Sequence, residues 1–179
     1  MHRKPLLTLL KNYQTFDQNE QEMVDRTIDF VQSNPNCFER FLQIGHITGS
    51  AWIIDETKQY ALLMHHQKLD RWFQPGGHAD GETNILEVAI KEATEETGLS
   101  TIKILNDTIF DVDVHLIPEN KKEAAHFHYD IRFLFEADKE TVLEINSESK
   151  ELKWIKLNNI KNYNNSESIL RMVRKIIKL

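Results

Sequence analysis

The chain has a single cysteine, Cys37, so no disulfide can form within it, and a small disulfide-stapled scaffold is excluded. The expectation that follows is a reducing compartment, the cytoplasm. No apolar run approaches the ~18 residues needed to span a membrane. The N-terminal MHRKPLLTLLKNYQTF holds only a short apolar stretch, broken by Lys11 and Asn12, and lacks the apolar core of a signal peptide. Neither membrane insertion nor export is expected. An excess of positive charge is also missing. The 22 basic and 28 acidic residues leave a net charge of −6, which argues against general nucleic-acid binding. A nucleotide substrate is not excluded, because a bound cation reverses the local sign. There is no internal repeat and no low-complexity tract.

What is present suits one domain of ordinary size, since 179 residues can bury a proper core. Residues 1–43 read as a helical extension. Pro5 to Tyr13 is a short apolar helix. Asp17 and Glu20 are spaced as a capping box for a second helix to about Gln32, with Val24, Ile28 and Val31 on one face. Ser33-Asn34-Pro35 ends it, and Phe38 to Leu42 suggests a further turn. Residues 44–179 read as the main domain. HITGSAWII and YALLMHH form a hairpin about the DETK turn, Asp55 to Lys58. Arg71 to Gln74 is a short strand before a Gly-Gly turn. Thr101 to Ile117 holds one or two strands, and His126 to Glu136 and Glu151 to Leu157 one each. Ser166 is placed to cap a last helix that buries Ile169, Leu170, Val173, Ile176 and Ile177. This order predicts an α+β fold with a mixed sheet.

Between Gly77 and Leu99, Glu92, Glu95 and Glu96 fall within five residues on a predicted helix that Gly98 closes. Acids at i, i+3 and i+4 lie on one side, about 5–6 Å apart. They repel one another unless a divalent cation sits among them. Hard oxygen donors of this kind suit Mg²⁺ or Mn²⁺. Beside them Ile85, Leu86, Ala89, Ile90 and Ala93 form an apolar stripe.

The segment resembles the Nudix box, G-x5-E-x7-R-E-U-x-E-E-x-G-U with U aliphatic. Gly77 takes the first position, Glu92 follows the basic position, Glu95 and Glu96 are the paired acids, and Gly98-Leu99 close the box. Thr83 stands in place of the first Glu, Lys91 in place of Arg, and Ala93 in place of a larger aliphatic. The loop QPGGHADGE is similar to that of a Nudix subgroup carrying an HADG segment, as are DVDVH and AHFHYD. The resemblance implies an α/β/α sandwich and metal-dependent hydrolysis of a phosphoanhydride in a nucleoside diphosphate linked to another group. It implies Glu92, Glu95 and Glu96 as catalytic metal ligands, with the Gly76 carbonyl as a further one. Gly77, Glu87, Lys91 and Gly98 are expected in support, with Glu87 pairing to Lys91 in the i,i+4 orientation. Glu82 is one residue from the missing acid.

The general base is open between Glu92, Glu148, Glu151 and Glu123, the last in a loop at 119–125 that could overhang the site. His115, His126 and His128 fall in one region with Asp111 and Asp113. An H-x-H pair on a strand projects both rings to one face, suiting phosphate, substrate or a second cation, or equally a set of cross-strand polar partners. His78 and Arg71 are further candidates for substrate contact; His46 reads as structural. Trp52, Trp72, Phe73 and Trp154 read chiefly as core. The partner expected is a small nucleotide derivative, and the N-terminal helices make a homodimer plausible. A competing reading is a Nudix-fold binding or sensing module weakened in turnover, kept open by Thr83 and Lys91. An isoprenoid isomerase of the same fold would need a cysteine near the box, and Cys37 lies in the helical N-terminal part.

Overall fold

The computed structural model describes residues 2–120 and 123–179. The expected overhanging loop at 119–125 therefore lies partly outside the described residues, at Lys121 and Lys122. The chain divides into two compact units, each built from three stretches. The described residues within 2–50, 77–89 and 107–133 form the first, and 51–76, 90–106 and 134–179 the second. Strand β1 (Gly45–Ile54), helix α3 (Ile85–Thr97) and strand β7 (His126–Glu136) pass from one to the other.

In the first unit, α1 (Lys4–Asn12) and α2 (Gln18–Ser33) form the N-terminal helical part. Asp17 caps α2 by accepting from the Glu20 N–H at 3.0 Å. Glu20 is fully buried and accepts from the Tyr13 hydroxyl (2.7 Å), the Thr15 hydroxyl and the Val112 N–H (3.0 Å). Val112 lies on β6 (Asp111–Ile117), whose other side pairs antiparallel with β7. The Val114 N–H is likewise met by the Met23 sulfur at 3.2 Å. Side chains of α2 thus satisfy donors on an edge strand that would otherwise invite pairing. Residues 38–42, expected as a helical turn, form plain turns.

The sequence reading placed a turn at Gly76-Gly77. The backbone there is extended and forms a short strand, β4 (Gly76–His78), paired with β1. The chain reverses later, at Asp80 and Gly81, with φ of 47° and 89°. Glu82, considered as a replacement acid, accepts from the Thr83 and Asn84 N–H groups at 2.7 and 2.8 Å, just before α3 begins.

In the second unit β2 (Tyr60–His66) is central. It pairs antiparallel with the end of β1, with β3 (Arg71–Phe73) and with β8 (Ser149–Lys156). The β1–β2 hairpin turns where expected, and the buried Asp55 carboxylate accepts from the Gln59 and Tyr60 N–H groups at 2.9 and 2.8 Å. The short β5 (Lys103–Ile104) pairs with the end of β7. A 3-10 helix, Leu157–Asn162, leads to α4 (Glu167–Ile177). Ile169, Met172, Val173 and Ile176 are buried on α4, the i, i+3, i+4, i+7 stripe of a surface helix. Leu170 and Ile177, expected with them, are not; Ile177 is 62% exposed. Ser166 precedes this helix without a side-chain cap, and its own N–H goes to the Asn164 side chain at 2.9 Å. No described helix is long and apolar enough to cross a membrane.

Candidate active site on the third helix

Helix α3 carries the clustered acids on its last two turns. Burial grades them. Glu95 is exposed, Glu92 is half-buried, and Glu96 is buried at 4% exposure. The grading follows from the helix period, because Ala93 and Thr97, flanking Glu96, are fully buried on the packed side. Glu96 accepts from the Gly76 N–H at 2.9 Å. The helix and the strand-forming glycine are thereby tied together at the carboxylate. The same residue carries the carbonyl expected as a ligand.

Burial pushes the Glu96 carboxyl up to about 8, against the Gly76 N–H bond, and the charges of Glu92, Glu148 and Glu95 add to it. Burial also raises Glu92, with Lys91 opposing and Glu95 and Glu148 reinforcing. Glu92 and Glu96 each feel the charges of Glu95 and Glu148, a concentration of negative charge around two buried or half-buried carboxyls that a cation would relieve. That is the fit expected of a hard divalent ion.

Lys91 was expected to pair with Glu87. Its Nζ instead lies 3.5 Å from Glu92 and 3.7 Å from Glu95, turned toward the stronger negative potential. Glu87 is exposed in the first turn. Gly98 has φ of 71° and closes the helix, its N–H bonding to the Thr94 carbonyl at 2.9 Å. A Cβ there would stand 2.6 Å from Glu144 Cβ.

The base candidates separate. Glu148 acts on both Glu92 and Glu96. Its N–H bonds to the Asn146 side chain at 2.9 Å, and Asn146 in turn donates to the Glu95 carbonyl at 3.3 Å. Glu151 sits opposite His65 in the β2–β8 ladder and is 3.8 Å from Lys153. Glu123 is exposed and belongs to the first unit. Arg71 is exposed on β3, its guanidinium 5.5 Å from the Phe73 ring centroid.

In the first unit, β6 and β7 pair so that Asp111 faces Arg132, Asp113 faces Asp130, and His115 faces His128. Arg132 is buried and contacts Asp130 at 2.7 Å, Asp111 at 3.0 Å and Asp113 at 3.3 Å. The Thr48 and Ser50 hydroxyls donate to Asp130 at 2.9 and 2.7 Å. The three aspartates hold the guanidinium charged far above its usual range, although burial opposes this. The sequence reading noted Asp111 and Asp113 but missed this hub.

It also set His46 aside as structural. His46 is 3% exposed, and its ring lies 4.9 Å from those of His78 and His128 and 5.0 Å from that of His126. His115 stacks edge-on against His128 at 5.5 Å. Burial lowers His46 to about 4, and it lowers His78 and His128 too. His115 Nδ1 is 2.9 Å from Asp113, and His126 Nδ1 is 2.8 Å from the Ala124 carbonyl.

Clustered acids between Gly76-Gly77 and Gly98, on an α+β frame with a mixed sheet, make an arrangement suited to a cation and a phosphate group. The comparisons make this specific. A family model described as the NUDIX domain matches residues 46–175, and the chain belongs to the Nudix family. A probable DHNTP pyrophosphohydrolase from Lactococcus lactis subsp. cremoris is 32% identical over 96 residues, covering 52% of this chain and 55% of that protein. The chain thus spans about half the length of the curated relative it matches. Among solved structures, an Ap4A hydrolase from C. elegans aligns with a TM-score of 0.60 at 18% identity, over 74% of this chain and 95% of that one. The E. coli dihydroneopterin triphosphate pyrophosphohydrolase aligns at 0.58 and 12% identity, over 74% and 96%. These two show the fold, a Nudix-type α/β/α sandwich preceded here by helices α1 and α2.

Proposed function

We propose that the protein is a Nudix hydrolase that cleaves a phosphoanhydride bond in a nucleotide derivative by attack of water at phosphorus. The observation that carries this reading is Glu96, a buried carboxylate held by the Gly76 N–H amid Glu92, Glu95 and Glu148. A divalent cation, Mg²⁺ or Mn²⁺, would be held by Glu92, Glu95, Glu96 and the Gly76 carbonyl. When bound, it would neutralise phosphate charge and lower the pKa of a coordinated water.

The chain's own groups do the rest. The Gly76 N–H fixes the Glu96 carboxylate. Lys91 steadies Glu92 and Glu95, standing where the family pattern has Arg. Glu148, brought near by Asn146, is the group we assign to take the proton as water adds and the anhydride P–O bond breaks. Two phosphorylated products leave, or pyrophosphate leaves if the substrate is a triphosphate.

The experiment incubates the protein with nucleoside diphosphate derivatives, dinucleoside polyphosphates and dihydroneopterin triphosphate, in Mg²⁺, in Mn²⁺ and in EDTA. Products are identified by mass. Metal-dependent cleavage of one compound supports the hydrolase. Thermal stabilisation by a nucleotide without cleavage favours the sensing module, whose supporting observation is that Lys91 contacts two of the acids.

A further inference from the structure

Among the described residues, one set of three metal-ligating side chains has its donor atoms mutually within 4.8 Å. It is not the glutamate set but His46, His78 and His128. All three residues lie in the first unit, His46 on β1, His78 on β4 and His128 on β7. We infer that these three imidazoles form a second metal site, selective for a borderline transition cation such as Zn²⁺ and separate in chemistry from the acidic box.

The second, independent observation is the state of the ring nitrogens. Both nitrogens of His46 and Nε2 of His128 are buried and meet no hydrogen-bond partner among the described residues. A neutral imidazole always has one donor and one acceptor, and leaving both unmet in a 3% exposed ring costs the hydration of each with nothing to replace it. Polar pairing explains other members of the histidine group. His126 bonds to the Ala124 carbonyl and His115 to Asp113. It leaves His46 unexplained, and a cation at the centre of the trio would supply the missing partner.

Tetrahedral ligands at about 2.05 Å from Zn²⁺ are roughly 3.4 Å apart, so donors within 4.8 Å need close by little more than an ångström. All-nitrogen donors disfavour Mg²⁺, which demands oxygen, and favour Zn²⁺, Ni²⁺ or Cu²⁺. Three protein ligands leave a fourth position for water or an anionic ligand. Strands β1, β4 and β7 would be cross-linked at one point.

The full chain, stripped with a chelator and dialysed, is titrated with Zn²⁺ in excess Mg²⁺ and separately with Co²⁺. The expected result is one equivalent of Zn²⁺ per chain that Mg²⁺ does not displace, and visible absorption from Co²⁺ of low coordination number. His78→Ala, at a half-buried position, should weaken Zn²⁺ binding at least tenfold, whereas Glu96→Gln should leave it unchanged. The Co²⁺ spectrum of the unaltered protein reads the ligand set even if His78→Ala does not fold. No Zn²⁺ uptake, an octahedral Co²⁺ spectrum, or binding abolished by Glu96→Gln but not by His78→Ala would overturn the inference. None of these readouts depends on hydrolysis, so failure of the proposed activity leaves this test intact.

Discussion

Removing divalent cations should make the protein lose stability as pH rises, through Glu96. Its carboxyl titrates at about 8 in the fold against 4.5 for the free group, because it is buried among other acids. Between those two values the unfolded chain has released the proton that the folded chain keeps. The folded state binds more protons, so unfolding free energy falls with rising pH across that window, which spans about 4.5 to 8. At 1.36 kcal/mol per pKa unit the loss is of order a few kcal/mol, a large share of a domain's stability. His46 acts in the opposite direction. Its pKa is depressed to about 4, so its contribution is present above about 6.5 and is lost as pH falls toward 4. The Glu96 slope is therefore cleanest between pH 6.5 and 8. Urea unfolding in EDTA, followed by tryptophan fluorescence at half-unit pH steps, should show this decline. Glu96→Gln should abolish it, and Mg²⁺ should abolish it in the unaltered protein by favouring the ionised carboxylate. Parallel profiles for the wild type and Glu96→Gln would refute the reasoning.

Arg132→Met should destabilise the fold by about 3–5 kcal/mol in denaturant melts, since three aspartates around the buried guanidinium lose their counter-charge. Gly98→Ala should cost at least ~1–2 kcal/mol, because φ of 71° is unfavourable for alanine and its Cβ would press on Glu144; an unchanged melting midpoint would contradict this. Glu148→Gln should lower kcat by roughly 10²–10⁴ with KM and the circular dichroism melt little changed, the pattern of a proton acceptor and not of a structural residue.

Local signals made much of this legible. The box helix announced itself by apolar spacing and a closing glycine, and β7 was read at its observed bounds from alternating residues in a β-rich run. The misreadings have a common cause, which is that a local pattern has more than one tertiary use. Gly76-Gly77 looks like a turn, yet glycines also permit close strand pairing, and the reversal went to Asp80-Gly81. Glu20 has capping-box spacing, and its buried carboxylate also meets an N–H of β6, a use that spacing alone does not reveal. Leu170 and Ile177 are as apolar as their neighbours, and only packing chooses between them. The Arg132 hub did leave a sequence trace. Read in opposite directions, Asp111-x-Asp113-x-His115 lies against Arg132-x-Asp130-x-His128, a complementary pair once antiparallel register is assumed. His46 left none, since its neighbours His78 and His128 are distant in sequence and strand pairing alone brings them together.

The most direct test of the central claim is the turnover of Glu96→Gln beside the wild type, on whichever phosphoanhydride the substrate panel selects, at saturating Mg²⁺ and near pH 8. The account predicts a fall of several orders of magnitude in a protein that remains folded and at least as stable as the parent without metal. Turnover near the wild-type rate would contradict it, removing Glu96 from the catalytic machinery and with it the reading of helix α3 as the seat of hydrolysis.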